Sequence, residues 1–152
     1  MTTGRRPLLH HEWLADVWKQ GDGTLLASIS VDPAVRAPRM NGHGDAEVLL
    51  DFGEVEPGPD LDRRLTVVVA RIRHALAALP EIVAYAVAHG PRRWRDHYER
   101  ADPQPLADRL FLEGFGVDAE LNLSVWFDFG DLDMIVVALD AYGRGQAVEL
   151  RP

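Results

Sequence analysis

Residues 121–139 read LNLSVWFDFGDLDMIVVAL, and this stretch decides the fold that we expect for the chain. Apolar and polar residues alternate through its first half, and a period of two is typical of a strand with one buried face. The apolar positions are Leu121, Leu123, Val125, Phe127 and Phe129, and they alternate with Asn122, Ser124, Trp126 and Asp128. The turn Gly130-Asp131 then leads into an apolar run at 134–139. Strand, turn and strand together predict an antiparallel pair.

The sequence on both sides of this pair predicts further strands. Residues 108–115 precede it and residues 146–150 follow it, each across a glycine-containing turn, so we expect a C-terminal meander of four strands. Three more strands are predicted nearer the N-terminus, at 12–18, 24–31 and 46–52. The first two of these flank the turn Gly21-Asp22-Gly23, which suits a hairpin.

The middle of the chain predicts helices. Apolar residues recur there at steps of three and four, which places them on one stripe of a helix. They are Leu61, Leu65, Val68, Val69, Ile72, Leu76 and Leu79. Asp60 is the expected N-cap, Pro80 begins a second helix that ends at Gly90-Pro91, and residues 92–100 predict a third helical piece. We therefore expect one α+β domain over residues 1–152: an antiparallel sheet of about six to seven strands with two to three helices packed on one face.

Composition limits the function. The chain of 152 residues has no cysteine, which excludes disulfides, thiolate zinc sites and cysteine nucleophiles. No apolar run is long enough for a membrane span, and Arg5, Arg6, His10 and His11 stand where a signal peptide would carry its apolar stretch. We therefore expect a cytoplasmic protein that does not associate with membranes.

Charge is unevenly distributed along the chain. The formal net charge is −8, which argues against general nucleic-acid binding because phosphates require a clustered positive surface. Residues 41–62 hold seven acids and no base, residues 63–100 hold eight bases and three acids, and residues 101–152 hold three bases and ten acids. Segregated charge of this kind steers association with an oppositely charged protein partner.

Motifs for catalysis are missing. The chain has no Gly-x-Ser-x-Gly elbow, and its only lysine, Lys19, is not part of a phosphate loop. His11-Glu12 begins like a zinc-protease signature, but Ala15 stands where the second histidine is needed. The sequence therefore favours a non-enzymatic protein with no cofactor over an enzyme.

Two groups of residues are candidates for binding a partner. Arginines and aromatics interleave between 92 and 100, as at interaction hot spots, although the aromatics could equally pack on the sheet. The candidates in this segment are Arg92, Arg93, Trp94, Arg95 and Tyr98. The second group surrounds the turn after residue 128 and consists of Trp126, Asp128, Asp131 and Asp133. Solvated carboxylates of a hairpin are the alternative interpretation for that turn.

Two other functions stay open. Three helical histidines, His74, His89 and His97, would form a metal site if the fold brought them together, which would support a small metal- or histidine-dependent enzyme. Alternatively, a small ligand would occupy a pocket between helices and sheet lined by Trp94, Tyr98, Trp126 and Phe127.

The order of elements and the strand-turn-strand stretch at 131–140, DLDMIVVALD, resemble small uncharacterised bacterial proteins of the domain-of-unknown-function type, some of them similar to immunity proteins. The resemblance implies a cytosolic binding module that neutralises a basic toxin or regulates another protein. It implies no catalytic residue. We expect a monomer, or a homodimer formed through an exposed sheet edge.

Overall fold

A computed structural model describes residues 13–31, 44–92, 96, 106–128 and 134–151. The strands are β1 (Leu14–Lys19), β2 (Leu25–Ser30), β3 (Asp45–Leu50), β4 (Phe111–Val117), β5 (Leu123–Asp128), β6 (Met134–Leu139) and β7 (Gly145–Arg151). The helices are α1 (Pro59–Ala77) and α2 (Leu79–His89), and a short 3-10 turn spans Leu106–Arg109. The predicted α+β fold is confirmed.

The seven described strands form one sheet whose spatial order is the order of the sequence. Strands β4 to β7 form the predicted antiparallel meander, and β1 to β3 form a second antiparallel unit. Strands β3 and β4 are parallel, unlike the all-antiparallel sheet that we expected. Parallel neighbours need a long crossover, and the segment that holds α1 and α2 supplies it.

Helices α1 and α2 pack on one face of the sheet and form the core with it. The buried stripe of α1 consists of Leu61, Leu65, Val68, Val69, Ile72 and Ala75, close to the predicted one, while Leu79 belongs to α2. The expected N-cap was wrong. Gly58 is the N-cap of α1 and Pro59 begins the helix, so Asp60 lies within the first turn and forms ion pairs with Arg63 and Arg64.

Most of the predicted third helical piece lies outside the described residues. Of residues 92–100, the structure describes Arg92 and Asp96, which are both helical, and their side chains form an ion pair at 3.7 Å.

Three hairpin turns repeat one backbone geometry, at residues 20–24, 118–122 and 140–144. In each turn the first amide donates to the carbonyl of the fifth residue, and the fourth amide donates back to the first carbonyl. The fourth residue has positive φ: 91° at Gly23, 64° at Leu121 and 81° at Gly143. The guanidinium of Arg71 in α1 donates to the carbonyls of Leu121 and Asp140, so one side chain ties two of the turns to the helix layer.

Neither described helix combines the length and the apolar character that crossing a membrane requires.

Candidate functional site

The face of the sheet opposite α1 and α2 is the candidate site, and we call it the open face. Strand residues alternate between the two faces, so every second residue of each strand lies there. In the central strands these residues are Glu47, Leu49, Gly114, Gly116, Ser124, Trp126, Val136 and Ala138. None of them belongs to the core cluster. Val136 is only 4% exposed and lies in register with Trp126, so part of the open face is packed without contributing to the core.

Two glycines leave the middle of the open face without side chains. Gly114 is in register with Glu47 on β3 and with Trp126 on β5. A β-carbon at Gly114 would lie 2.5 Å from the backbone oxygen of Glu47, so the close approach of β3 and β4 requires glycine there. Gly114 is buried, so the two strands pack closely here, with Glu47 on one side and Trp126 on the other.

The second glycine positions the indole of Trp126. A β-carbon at Gly116 would lie 2.7 Å from Cζ2 of Trp126, which means that the ring lies directly over this glycine. The indole Nε1–H donates to the hydroxyl of Ser124 at 3.0 Å, and that hydroxyl donates to the carbonyl of Gly116 at 3.4 Å. Trp126 is thus held in one orientation while it stays half-buried.

A groove of about 610 Å³ runs along this part of the open face toward the ends of β3 and β4. Leu49, Gly116 and Trp126 contribute to its lining, together with the carboxylate-bearing residues Asp51 and Asp118. Arg151 also lines the groove, which is therefore partly apolar and carries charges of both signs.

Carboxylates from three neighbouring strands lie on the open face near Gly114. They belong to Glu47 of β3, Glu113 of β4 and Asp128 of β5. Glu113 is the extra residue of a β-bulge, since Leu112 pairs with Phe127 and Gly114 already pairs with Trp126. Partial burial and the nearby charges of Asp128 and Glu47 raise the pKa of Glu113. The charges of Asp128 and Glu47 thus add to the effect of burial in disfavouring the ionised form of Glu113.

The helix side of the molecule carries several arginines, whereas Arg151 lies on the open face. Helix α1 bears Arg63, Arg64, Arg71 and Arg73. Arg73 lies over the ring of Trp13 at 4.3 Å, and Arg64 lies over Phe52 at 5.7 Å. The basic segment of the sequence therefore includes much of the helix layer, whereas the acidic segments supply the carboxylates of the open face.

Some of the residues predicted to bind a partner lie at this site. Trp126 and Asp128 belong to the open face, and Arg92 is exposed on the helix side in its ion pair with Asp96. Six other candidates from the sequence lie outside the described residues: Arg93, Trp94, Arg95, Tyr98, Asp131 and Asp133. Phe127 is fully buried in the core, on the face opposite Trp126, so the two do not line one pocket as we had expected.

The histidines predicted as metal ligands have other contacts. His74 lies against Gly143, where a β-carbon would be 2.7 Å from its Cδ2 atom, and His89 stacks on Tyr85 at 4.3 Å between ring centroids. His97 lies outside the described residues. Within the described part of the chain, no group of three or more histidine, aspartate or glutamate side chains is placed to hold a metal ion.

Several residues of the open face escaped the sequence analysis. Glu47, Glu113 and both glycines of β4 became visible only through the register of the sheet. Gly114 and Gly116 are two residues apart, but Gly116 was expected in the turn after the predicted strand at 108–115, so the sequence did not show that both lie on one face of a strand.

A second region with cavities lies on the helix side, where the β6–β7 turn meets α1 and α2. Two adjoining cavities of about 530 and 320 Å³ share His74, Tyr142 and Gly143. Tyr142 is 74% exposed at their mouth.

Comparison of the chain with protein-family models, with curated proteins and with solved structures found no match.

Proposed function

We propose that this chain is a non-enzymatic module that binds a basic partner protein with its open face. The observation that carries the proposal is the placement of Trp126, which is held half-buried over Gly116 on the face that also bears the carboxylates of Glu47 and Glu113. Tryptophan is enriched at the energetic centres of protein interfaces, and complementary charge steers a partner to them. Among the described residues, no arginine or lysine forms an ion pair with Glu47 or Glu113.

The biological role that fits such a module is neutralisation or regulation of a basic protein, as in the immunity-like proteins that the sequence resembles. A cytoplasmic location agrees with a chain that has no cysteine and must fold without disulfides. Binding requires no cofactor in this proposal.

The test captures partners from native cell lysate with the full chain and with two double variants of equal charge. Glu47→Gln with Glu113→Gln alters the open face, whereas Asp62→Asn with Glu81→Gln alters exposed acids of the helices. We expect the open-face variant to lose a basic partner, with a Kd weakened by about tenfold or more, and the helix variant to retain it. Binding should also weaken as salt rises from roughly 50 to 300 mM. A partner held equally by both variants and at all salt concentrations would overturn the proposal.

A second candidate function, binding of a small molecule, is favoured by the adjoining cavities at the β6–β7 turn. Their lining combines Ile82 and the ring of Tyr85 with the charges of Glu81 and Arg144. A thermal-shift screen of small metabolites tests it. We expect at least one metabolite to raise the melting temperature of the unchanged protein and of Trp126→Leu, but not that of Tyr85→Leu. A screen without such a hit would reject this candidate.

A further inference from the structure

The sheet has two edges, and they differ. Strands β1 and β7 lie at the two ends of the strand order, so each has one neighbour among the described strands. The register of β1 shifts between Ala15 and Trp18, and the strand ends on the exposed Lys19. A bulge and a lysine both hinder a further strand from pairing with an edge. Strand β1 is therefore a protected edge.

Strand β7 has a long and regular edge. Residues 145–151 contain no proline and no lysine, and they pair with β6 without a register shift from Ala147 to Arg151. A regular edge strand presents a row of N–H and C=O groups that point away from its neighbour. No other described strand pairs with this side of β7. Its backbone groups are therefore available to a strand of another molecule.

Burial within the sheet falls at β7. Val148 and Leu150 lie on the core face, but they are only partly buried, whereas their register partners in β6, Val137 and Ile135, are fully buried. Ala147 on the open face is exposed although its side chain is small. The core thus ends at this edge without cover. One more strand beside β7 would remove Val148 and Leu150 from water, which is favourable for apolar side chains.

The charges of β7 favour a second copy of the same strand. Glu149 and Arg151 form an ion pair at 3.2 Å, so the edge carries no net charge that would attract a basic or an acidic strand. The order of charges is reversed in an antiparallel copy, so the acid of one strand and the base of the other can face each other. Strand β7 is in this way complementary to itself.

The difference between the two edges also limits the assembly to two copies. A strand that pairs antiparallel with its own copy uses the same edge of both molecules, so the contact closes on itself. The edges that remain are the two β1 strands, which are protected. Such pairing gives a dimer and not a fibre.

We infer that two copies of this chain pair antiparallel through the edges of β7 and form one continuous sheet. The twofold axis of such a pair is perpendicular to the sheet, so the open faces of both copies lie on the same side. The inference goes beyond the proposed function and does not depend on it, because the contact is made by the edge of the sheet and not by its face.

The experiment measures the mass of the full chain by sedimentation velocity between about 1 and 200 µM. We expect the average mass to rise from that of one chain to that of two. Val148→Lys should weaken the dimer by at least about tenfold, because a charge on the core side of an edge strand opposes pairing. Leu150→Lys should do the same, and it provides a second test if Val148→Lys does not fold.

Val67→Lys is the matched control, because it makes the same substitution at a valine of α1 that is 45% exposed. It should leave the dimer unchanged. Trp126→Leu should also leave it unchanged, which separates edge pairing from association through the open face. Thermal unfolding at the lowest concentration shows that each variant is folded.

Amide hydrogen exchange locates the contact. Raising the protein concentration should slow the exchange of amides in β7, because their outward N–H groups gain acceptors in the second copy. The amides of β1 should exchange at the same rate in the monomer and in the dimer.

Several results would overturn the inference. They are a mass of one chain at every concentration, which is also the result expected if the edge binds a strand of a different protein, a dimer that both lysine variants of β7 retain, a dimer that Trp126→Leu dissociates, and β7 amides that exchange equally fast in both states. The proposed function fails separately. A monomer that captures a basic partner through its open face rejects the inference alone, whereas a β7 dimer that captures no such partner rejects the proposed function.

Discussion

The two faces of strand β5 differ although they belong to the same six residues. Leu123, Val125 and Phe127 face the helices and are buried in the core. Ser124 and Trp126 face the other way and remain half-buried. The core face is filled by apolar side chains, as folding requires, whereas the open face combines a tryptophan held in one orientation with several carboxylates. The proposed function rests on this combination.

The largest expected effect comes from neighbouring aromatic residues on the two faces. Phe127→Ala removes a fully buried ring and should lower the free energy of unfolding by about 3–5 kcal/mol. Trp126→Ala removes a larger but half-buried ring and should cost only about 1–2 kcal/mol. Urea denaturation measures both. Equal losses would show that Trp126 serves the fold as much as Phe127 does.

The glycines of β4 should give the next largest effect. Gly114→Ala forces a β-carbon against the backbone of Glu47, and this backbone cannot move away without separating β3 from β4. We therefore expect the free energy of unfolding to fall by about 2–3 kcal/mol. At Gly116 the obstacle is the indole of Trp126, which can move, and we expect a loss of about 1 kcal/mol with a shift in tryptophan fluorescence.

Gly21→Ala is the control for both glycine variants, because nothing lies within 4 Å of a β-carbon there. It should change stability by less than about 0.5 kcal/mol. Fluorescence that stays unchanged in Gly116→Ala would contradict the placement of the indole.

Arg71 tests whether polar contacts on the helix side support the sheet. A lysine at this position cannot donate to Leu121 and Asp140 in the fork geometry of a guanidinium, so Arg71→Lys should cost about 1–2 kcal/mol. Arg63→Lys changes an exposed arginine of the same helix and should cost almost nothing. If the melting temperatures of the two variants agree, Arg71 does not tie the turns to α1.

The smallest effect concerns the carboxylates of the open face. Because its pKa is raised, Glu113 binds its proton more tightly in the folded protein than in the unfolded chain, where the pKa of this side chain lies near 4.5. The folded protein therefore loses stability as pH rises from the pKa of Glu113 in the unfolded chain through its raised pKa in the folded protein. This loss persists at pH 7. Glu113→Gln should raise the melting temperature at pH 7. The difference in melting temperature between this variant and the unchanged protein should disappear by about pH 4.

Solvent screening limits the gain in the free energy of unfolding from Glu113→Gln to less than about 0.5 kcal/mol, because Glu113 is exposed. A gain that is the same at pH 4 and pH 7 would exclude charge repulsion as its cause.

Local patterns in the sequence predicted most of the elements. The stripe of α1 and the alternation in β5 were identified because each depends on residues close together in the chain. Boundaries were less accurate. Strand β4 was expected at 108–115 but spans Phe111–Val117, because Asp108 lies in the 3-10 turn.

The parallel pairing of β3 with β4 could not be predicted in this way. Its two strands are separated by the helices, and no local pattern encodes which strand a distant strand will join. The candidate site depends on this pairing. Trp126 and Asp128 were singled out from the sequence, but Glu47 joins them only because β3 lies beside β4.

By itself, the sequence determined which residues of each strand share a face and how charge is divided along the chain, since both follow from the order of residues. The tertiary structure alone decided that Glu47, Gly114 and Trp126 lie side by side on three strands. The physical reason is that strand register is set by packing of the helices on the core face and by the bulge at Glu113, which act between residues far apart in the chain.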